Sequence, residues 1–93
     1  MSIEGKVAII TGASSGIGYA TALALSKAGV KVAIGARRTD KLEQLENEIK
    51  KNGGDVLSQK LDVTKKTDCD AIVDQTIKKW GTVDILVNNA GLM

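Results

Sequence analysis

The chain has no proline, no phenylalanine and no histidine, and a single cysteine, tryptophan and tyrosine among its 93 residues. Without histidine, and with Cys69 alone, it has almost no material for a zinc site, which argues against metal catalysis. Cys69 also has no partner for an internal disulfide. No apolar run approaches the roughly 20 residues of a membrane span. Met1-Ser2-Ile3-Glu4-Gly5-Lys6 lacks the basic-then-apolar order of a secretory signal, so the expected location is cytoplasmic. Charge of one sign is not in large excess. The 13 basic and 11 acidic residues are interspersed and leave a net charge of +2, too balanced for a nucleic-acid footprint over the whole surface. Any anion site must be local. The missing proline and phenylalanine carry no functional reading.

What is present describes a globular chain, 43% hydrophobic and 26% charged, of a length at the low end of those that bury their own core. Lys6 to Thr11 is a short, nearly continuous apolar run, as expected of a strand covered on both faces. From Ile17 to Ala28 the chain is rich in Ala and Leu, and Gly29 supplies a stop. Within this helix Ala20, Ala24 and Ala28 form a smooth strip suited to close approach on a sheet. Lys31 to Ala36 reads as a second strand. Thr39 is the expected N-cap of a helix from Asp40 to Asn52, with Leu42, Leu45 and Ile49 on one face. Val56 to Leu61 is a more polar strand suited to an edge. Thr64 is the expected cap of a helix from Lys66 to Lys79, and Val83 to Asn88 is the fourth strand. Trp80 falls on the apolar face of its helix, which favours core packing over a basic-aromatic nucleic-acid patch with Lys78 and Lys79. Strands alternating with helices of this length imply parallel pairing through right-handed crossovers. The expected fold class is α/β, a Rossmann-type doubly wound parallel sheet, βαβαβαβ with strand order 3-2-1-4.

Between the first strand and the first helix stands Ile10-Thr11-Gly12-Ala13-Ser14-Ser15-Gly16-Ile17-Gly18. A glycine at 12 permits a tight turn, Gly16 lets the backbone meet a ligand with no Cβ in the way, and Gly18 lets the helix pack close to the sheet. The unpaired N–H groups of the helix start suit a phosphate. The competing reading is a tight turn with no ligand. The spacing T-G-x-x-x-G-x-G is longer than the usual dinucleotide fingerprint, and no Gly-Lys-Ser/Thr follows to make a P-loop.

Three segments together resemble the short-chain dehydrogenase/reductases: Thr11 to Gly18 is similar to their glycine motif, Leu61-Asp62-Val63-Thr64 to their adenine-contacting segment, and Asn88-Asn89-Ala90-Gly91 to their N-N-A-G motif. The resemblance implies that Gly12, Ser14, Ser15, Gly16, Ile17 and Gly18 hold the pyrophosphate and adenosine ribose. It implies that Asp62 accepts from the adenine amino group, that the Val63 backbone completes that recognition, and that Asn89, Ala90 and Gly91 line the ribose side of the crevice. Thr11 and Asn88 would fasten the first strand to the fourth. For Asp62 taken alone, capping of the following helix is the alternative.

NAD-binding members of such folds place a carboxylate after the second strand, which a 2′-phosphate would avoid. Here Ala36 is followed by Arg37-Arg38, so NADP is expected in preference to NAD, with Arg37 and Ser14 on the 2′-phosphate and Arg38 beside them. The alternative is a pair of solvated arginines.

The family's reaction moves a hydride between the nicotinamide and an alcohol or carbonyl, with a tyrosine in Y-x-x-x-K as acid/base. The one tyrosine, Tyr19, has Leu23 four residues on and lies in the helix beside the glycine turn, so it is not that residue. The expectation is therefore the N-terminal cofactor-binding part of a longer NADP-dependent oxidoreductase, rather more than a third of a usual member, without catalytic residues of its own. The resemblance implies a homodimer or homotetramer acting on a small molecule. A non-catalytic dinucleotide-binding module and an inactive half-fold are the other readings.

Overall fold

The computed structural model describes residues 3–14 and 16–88. Its elements are β1 (Val7–Thr11), α1 (Gly16–Lys27), β2 (Lys31–Ala36), α2 (Thr39–Lys51), β3 (Val56–Lys60), α3 (Lys66–Trp80) and β4 (Ile85–Asn88). The four strands form one parallel sheet in the order β3-β2-β1-β4, as expected from the sequence. β1 sits between β2 and β4, with Thr11 opposite Gly35 on one side and Asn88 on the other.

Two cores cover the sheet. On one face, Leu42, Leu45 and Ile49 of α2 and Ala22 of α1 pack with Ala8, Ile10, Val32 and Ile34. On the other, Ile72 of α3 packs with Ile9, Ala33 and Leu61, and Leu57, Val63, Trp80 and Val83 close around them. Successive side chains of β1 and β2 point to opposite faces, so strands buried throughout feed both cores. Trp80 is partly buried against the second core, with the Lys79 ammonium 5.6 Å from its ring centre.

Three local expectations are corrected. The stripe of α1 that meets the sheet is Gly18, Ala22 and Ser26, while Ala20, Ala24 and Ala28 are exposed. A helix whose exposed and buried faces both carry small residues gives no contrast by which to choose the stripe. Thr39 is the first residue of α2, not its cap; Arg38 occupies the cap position without a side-chain cap bond. The Asp40 carboxylate instead takes the Lys41 N–H, which holds its pKa below the ordinary value. Lys65, not Thr64, precedes α3, because the Thr64 hydroxyl is spent on Asp62. α3 ends as expected at Gly81, whose φ of 83° is left-handed and whose N–H donates to the Ile77 carbonyl at 2.7 Å.

Candidate functional site at the carboxyl ends of the strands

The glycine turn leaves β1 at the middle of the sheet. Gly12 has φ +67°, a left-handed conformation that costs a side-chain-bearing residue about 1–2 kcal/mol. Ala13 is fully buried and its N–H donates to the Gly35 carbonyl at 3.1 Å, which pins the turn to β2. α1 then begins at Gly16. Gly16 and Ile17 are exposed while Gly18 faces the sheet, so the turn presents backbone outward at 16 and packs inward at 18. Ile17, the second residue of α1, is an apolar side chain left 73% exposed. Because α1 and α3 lie on opposite faces, the strand order reverses between β1 and β4, the place where open α/β sheets bind ligands.

Beside the turn the ends of β2 and β3 enclose an open cavity of about 720 Å³ walled by Arg37, Arg38, Lys60, Asp62, Lys65 and Asp68. A second cavity, of about 220 Å³, reaches from Gly12 and Ser14 to Val63 and shares the walls Arg37, Arg38 and Leu61. Three separate stretches of sequence, at Ser14, Arg37 and Asp62-Val63, thus border two adjoining cavities. The Arg38 guanidinium also reaches the Asp40 carboxylate at 3.2 Å. Lys60 and Asp68 were not singled out by sequence. The signal for Lys60 lies in strand register, since it stands opposite Ala36, and register becomes visible only once the sheet is assembled.

Asp62 forms a tight corner. Its Oδ1 accepts from the Thr64 N–H at 3.0 Å and the Thr64 hydroxyl at 2.6 Å, and the Lys65 N–H donates to the Asp62 carbonyl at 2.9 Å. The Asp62 N–H in turn donates to Asp68 Oδ2 at 3.0 Å. These Thr64 bonds, followed by the charges of Arg37 and Lys65, hold the Asp62 carboxyl below its ordinary pKa, so it is an anion at neutral pH. Both Thr64 bonds fall on Oδ1, and the Asp62 side chain lines the cavity. Asp62 thus closes a turn ahead of α3 and does not cap that helix, whose cap position, Lys65, carries no side-chain cap bond.

The Thr11 hydroxyl donates to Asn88 Oδ1 at 3.0 Å, joining β1 to β4 as expected. At the opposite end of the same strands, the Val7 N–H donates to Asp84 Oδ2 and the Asp84 N–H to the Val7 carbonyl, both at 2.9 Å. Tyr19 is engaged elsewhere: its hydroxyl donates to Glu48 Oε1 at 3.1 Å, tying α1 to α2. Burial first, and then that bond, push the phenol's pKa up, the opposite of what proton exchange near neutrality requires. Ser15, Asn89, Ala90 and Gly91 lie outside the described residues. Among the described residues, no group of three or more His, Cys, Asp or Glu is arranged to hold a metal ion, and no helix is long and apolar enough to cross a membrane.

Known proteins resemble this chain in sequence and in fold. An uncharacterized oxidoreductase of Listeria monocytogenes is 50% identical over all 93 residues, which span 38% of its length. An 11-beta-hydroxysteroid dehydrogenase of Sesamum indicum is 44% identical over 98% of the chain and 26% of its own length. Among solved structures, L-sorbose reductase from Gluconobacter frateurii, complexed with NADPH and L-sorbose, superposes with a TM-score of 0.92 at 43% identity, over 98% of this chain and 35% of that one. A 7 alpha-hydroxysteroid dehydrogenase complexed with NADH superposes at 0.89 and 38% identity, over 94% of this chain and 34% of that one. The family model described as short chain dehydrogenase matches residues 6–93. By that match over nearly the whole sequence, together with the 3-2-1-4 sheet, the chain belongs to the short chain dehydrogenase family.

Proposed function

We propose that these residues form the adenosine side of an NADP(H) site, within a longer cytoplasmic oxidoreductase that transfers hydride between NADP(H) and a small alcohol or carbonyl substrate. The observation that carries this reading is the pair of adjoining cavities that joins the glycine turn to Arg37 and Asp62 with no carboxylate at the end of β2, where Ala36 is followed by arginine. In this reading, Gly12, Ser15, Gly16, Ile17 and Gly18 receive the pyrophosphate and adjoining ribose at the start of α1. Arg37 and Ser14 take the 2′-phosphate, with Arg38 at the rim. The Asp62 carboxylate and the Val63 backbone meet the adenine, and Asn89, Ala90 and Gly91 serve its ribose side. Exposed Ile17 gains a hydrophobic partner when the cofactor lies over it. The relatives' names, which include oxidoreductases and dehydrogenases, support the reaction class. Solved neighbours hold NADPH in one case and NADH in another, so the choice of NADP rests on this chain's own charges.

The 93 residues bind the cofactor without turning it over. Their one tyrosine is committed to Glu48, with a phenol pKa moved away from neutrality. Acid/base chemistry and assembly into a homodimer or homotetramer belong to the remainder of the longer polypeptide.

The test is titration of the chain with NADPH and NADH at fixed low salt, beside an Arg37→Ala variant. Bonds to charged groups are worth about 1.5–3 kcal/mol, so the variant should bind NADPH about tenfold or more weakly and bind NADH unchanged. Equal affinity of the unaltered chain for both cofactors, or no binding by folded protein, overturns the reading.

A further inference from the structure

Three segments bring cations to one cavity. Arg37 follows β2, Lys60 ends β3, and Lys65 precedes α3, and all three line the same space of about 720 Å³. The register places Lys60 directly opposite Ala36, the residue before Arg37, and the Leu61 N–H donates to the Ala36 carbonyl at 2.9 Å. Lys65 is fixed by its own N–H on the Asp62 carbonyl. Their surroundings do not neutralise them equally. Among the described residues, the salt bridges are Arg38 with Asp40, Lys50 with Glu46 and Lys66 with Asp70. Arg38, which sequence reasoning placed at the site, already has a carboxylate partner, whereas Arg37, Lys60 and Lys65 stand in no salt bridge. The cavity's two carboxylates, on Asp62 and Asp68, accept chain N–H groups, and Asp62 also feels the charges of Arg37 and Lys65. These two carboxylates, however, face the four cations of Arg37, Arg38, Lys60 and Lys65. An excess of positive charge is left around a space open to solvent, and a 2′-phosphate carries about −1.5 to −2 at neutral pH.

Resting on the dinucleotide reading, we propose that Lys60 and Lys65, together with Arg37, form the cationic rim that discriminates a 2′-phosphate from a 2′-hydroxyl, with Arg38 secondary to them. Both lysines are exposed, so their contribution is electrostatic, dependent on salt and moderate per residue. Lys60 stands on the β3 side of this cavity and Lys65 on the α3 side. An ammonium on a flexible stem serves this purpose as a point charge, so arginine can replace it here.

The experiment compares the unaltered chain, Lys60→Gln, Lys65→Gln, the double glutamine variant, the double arginine variant, Arg38→Gln and Arg37→Ala. Each is titrated with NADPH and with NADH at two salt concentrations, and melting curves verify the fold. At the strength of exposed ion pairs, each lysine lost weakens NADPH binding about two- to fivefold and leaves NADH unchanged. The double glutamine variant should show the product of the two effects and a flatter salt dependence, and the double arginine variant should match the unaltered chain. Arg38→Gln should change NADPH affinity less than either lysine variant. If the chain prefers NADPH and loses that preference in Arg37→Ala but keeps it in the double glutamine variant, the lysine rim is overturned and the NADP reading stands. Equal weakening of NADPH and NADH in the double variant also overturns it, since the lysines would then attract any dinucleotide. An unaltered chain with no preference for NADPH, or no binding, overturns the NADP reading and the rim together.

Discussion

Gly16→Ala separates the two readings of the glycine turn. Outside Gly16's own neighbours and helix, no atom lies within 4 Å of the position an added Cβ would occupy, and its φ is not left-handed. Nothing in the fold therefore requires glycine at 16. Glycine within a helix costs about 0.5–1 kcal/mol relative to alanine. At the first residue of α1 the low end applies, so Gly16→Ala should stabilise the chain by about 0.5 kcal/mol. At about 4–8 °C per kcal/mol for a domain of this size, the melting temperature rises by about 2–4 °C. Binding should move the other way. A methyl group on the outward face of the turn keeps a phosphate off the backbone and removes about one charge-assisted N–H bond, worth about 1.5–3 kcal/mol. NADPH affinity then falls roughly 10- to 150-fold. The assay pairs a thermal melt followed by circular dichroism with a titration of NADPH fluorescence. An alanine variant that melts no lower and binds NADPH within about threefold of the parent refutes the argument that this glycine serves a ligand.

Gly35→Ala should do the reverse, because an added Cβ would stand 3.0 Å from Ile72 Cδ1 and 3.2 Å from Leu61 Cβ, both on side chains 1% exposed. Overpacking there should cost about 1–3 kcal/mol in urea denaturation, and an unchanged midpoint would show that the second core yields freely. Thr11→Val keeps the shape of a buried residue and removes the donor to Asn88, so a loss of about 0.5–1.5 kcal/mol is expected, with faster hydrogen exchange of the β1 and β4 amides near Thr11; exchange at the parent rate would refute a fastening role. The Asp62 carboxyl is held below its ordinary pKa, first by the Thr64 hydroxyl, so its corner gains stability that is present above the unfolded value of about 3.9 and is lost as pH falls through the lower folded value. Thr64→Val should raise the Asp62 midpoint in a carbon-detected NMR titration, and a midpoint that does not move contradicts the assigned cause.

The architecture was legible because its signals are redundant. β1 and β2 are apolar runs with no polar interruption before their ends, α2 carries Leu42, Leu45 and Ile49 on one stripe, and Gly29 and Gly81 both take the left-handed φ their helix stops require. What was misread depends on competition among neighbours. Thr39 and Thr64 are both sound caps by residue type, yet Asp40 serves the first turn of α2 and Asp62 captures the hydroxyl of Thr64. In α1 the choice between Ala20, Ala24, Ala28 and Gly18, Ala22, Ser26 is decided by the angle at which the helix leaves the turn, and an alanine-rich stretch does not encode that angle in its hydropathy. Lys60 and Asp68 were invisible for a related reason. They are ordinary surface charges until the register of β3 on β2 and the first turn of α3 bring them to one cavity.

Asp62 shows why the candidate site combines rigid and open parts. Its Oδ1 is occupied by Thr64, its N–H by Asp68 and its carbonyl by the Lys65 N–H, so three of its four polar groups fix the corner before any ligand arrives. A carboxylate held this way binds an amino group without paying again to order its own loop. The glycine turn follows the same division, with Ala13 buried and bonded to Gly35 while Gly16 and Ile17 face outward. Gly35 links the two halves, since its carbonyl holds the turn and its missing side chain makes room for Leu61, the residue before Asp62. Crowding position 35 should therefore weaken NADPH binding from both sides at once, beyond the loss of stability, while Gly16→Ala acts on the pyrophosphate side alone. A Gly35→Ala chain that is less stable but binds NADPH with parental affinity would show that the two halves of the site are positioned independently.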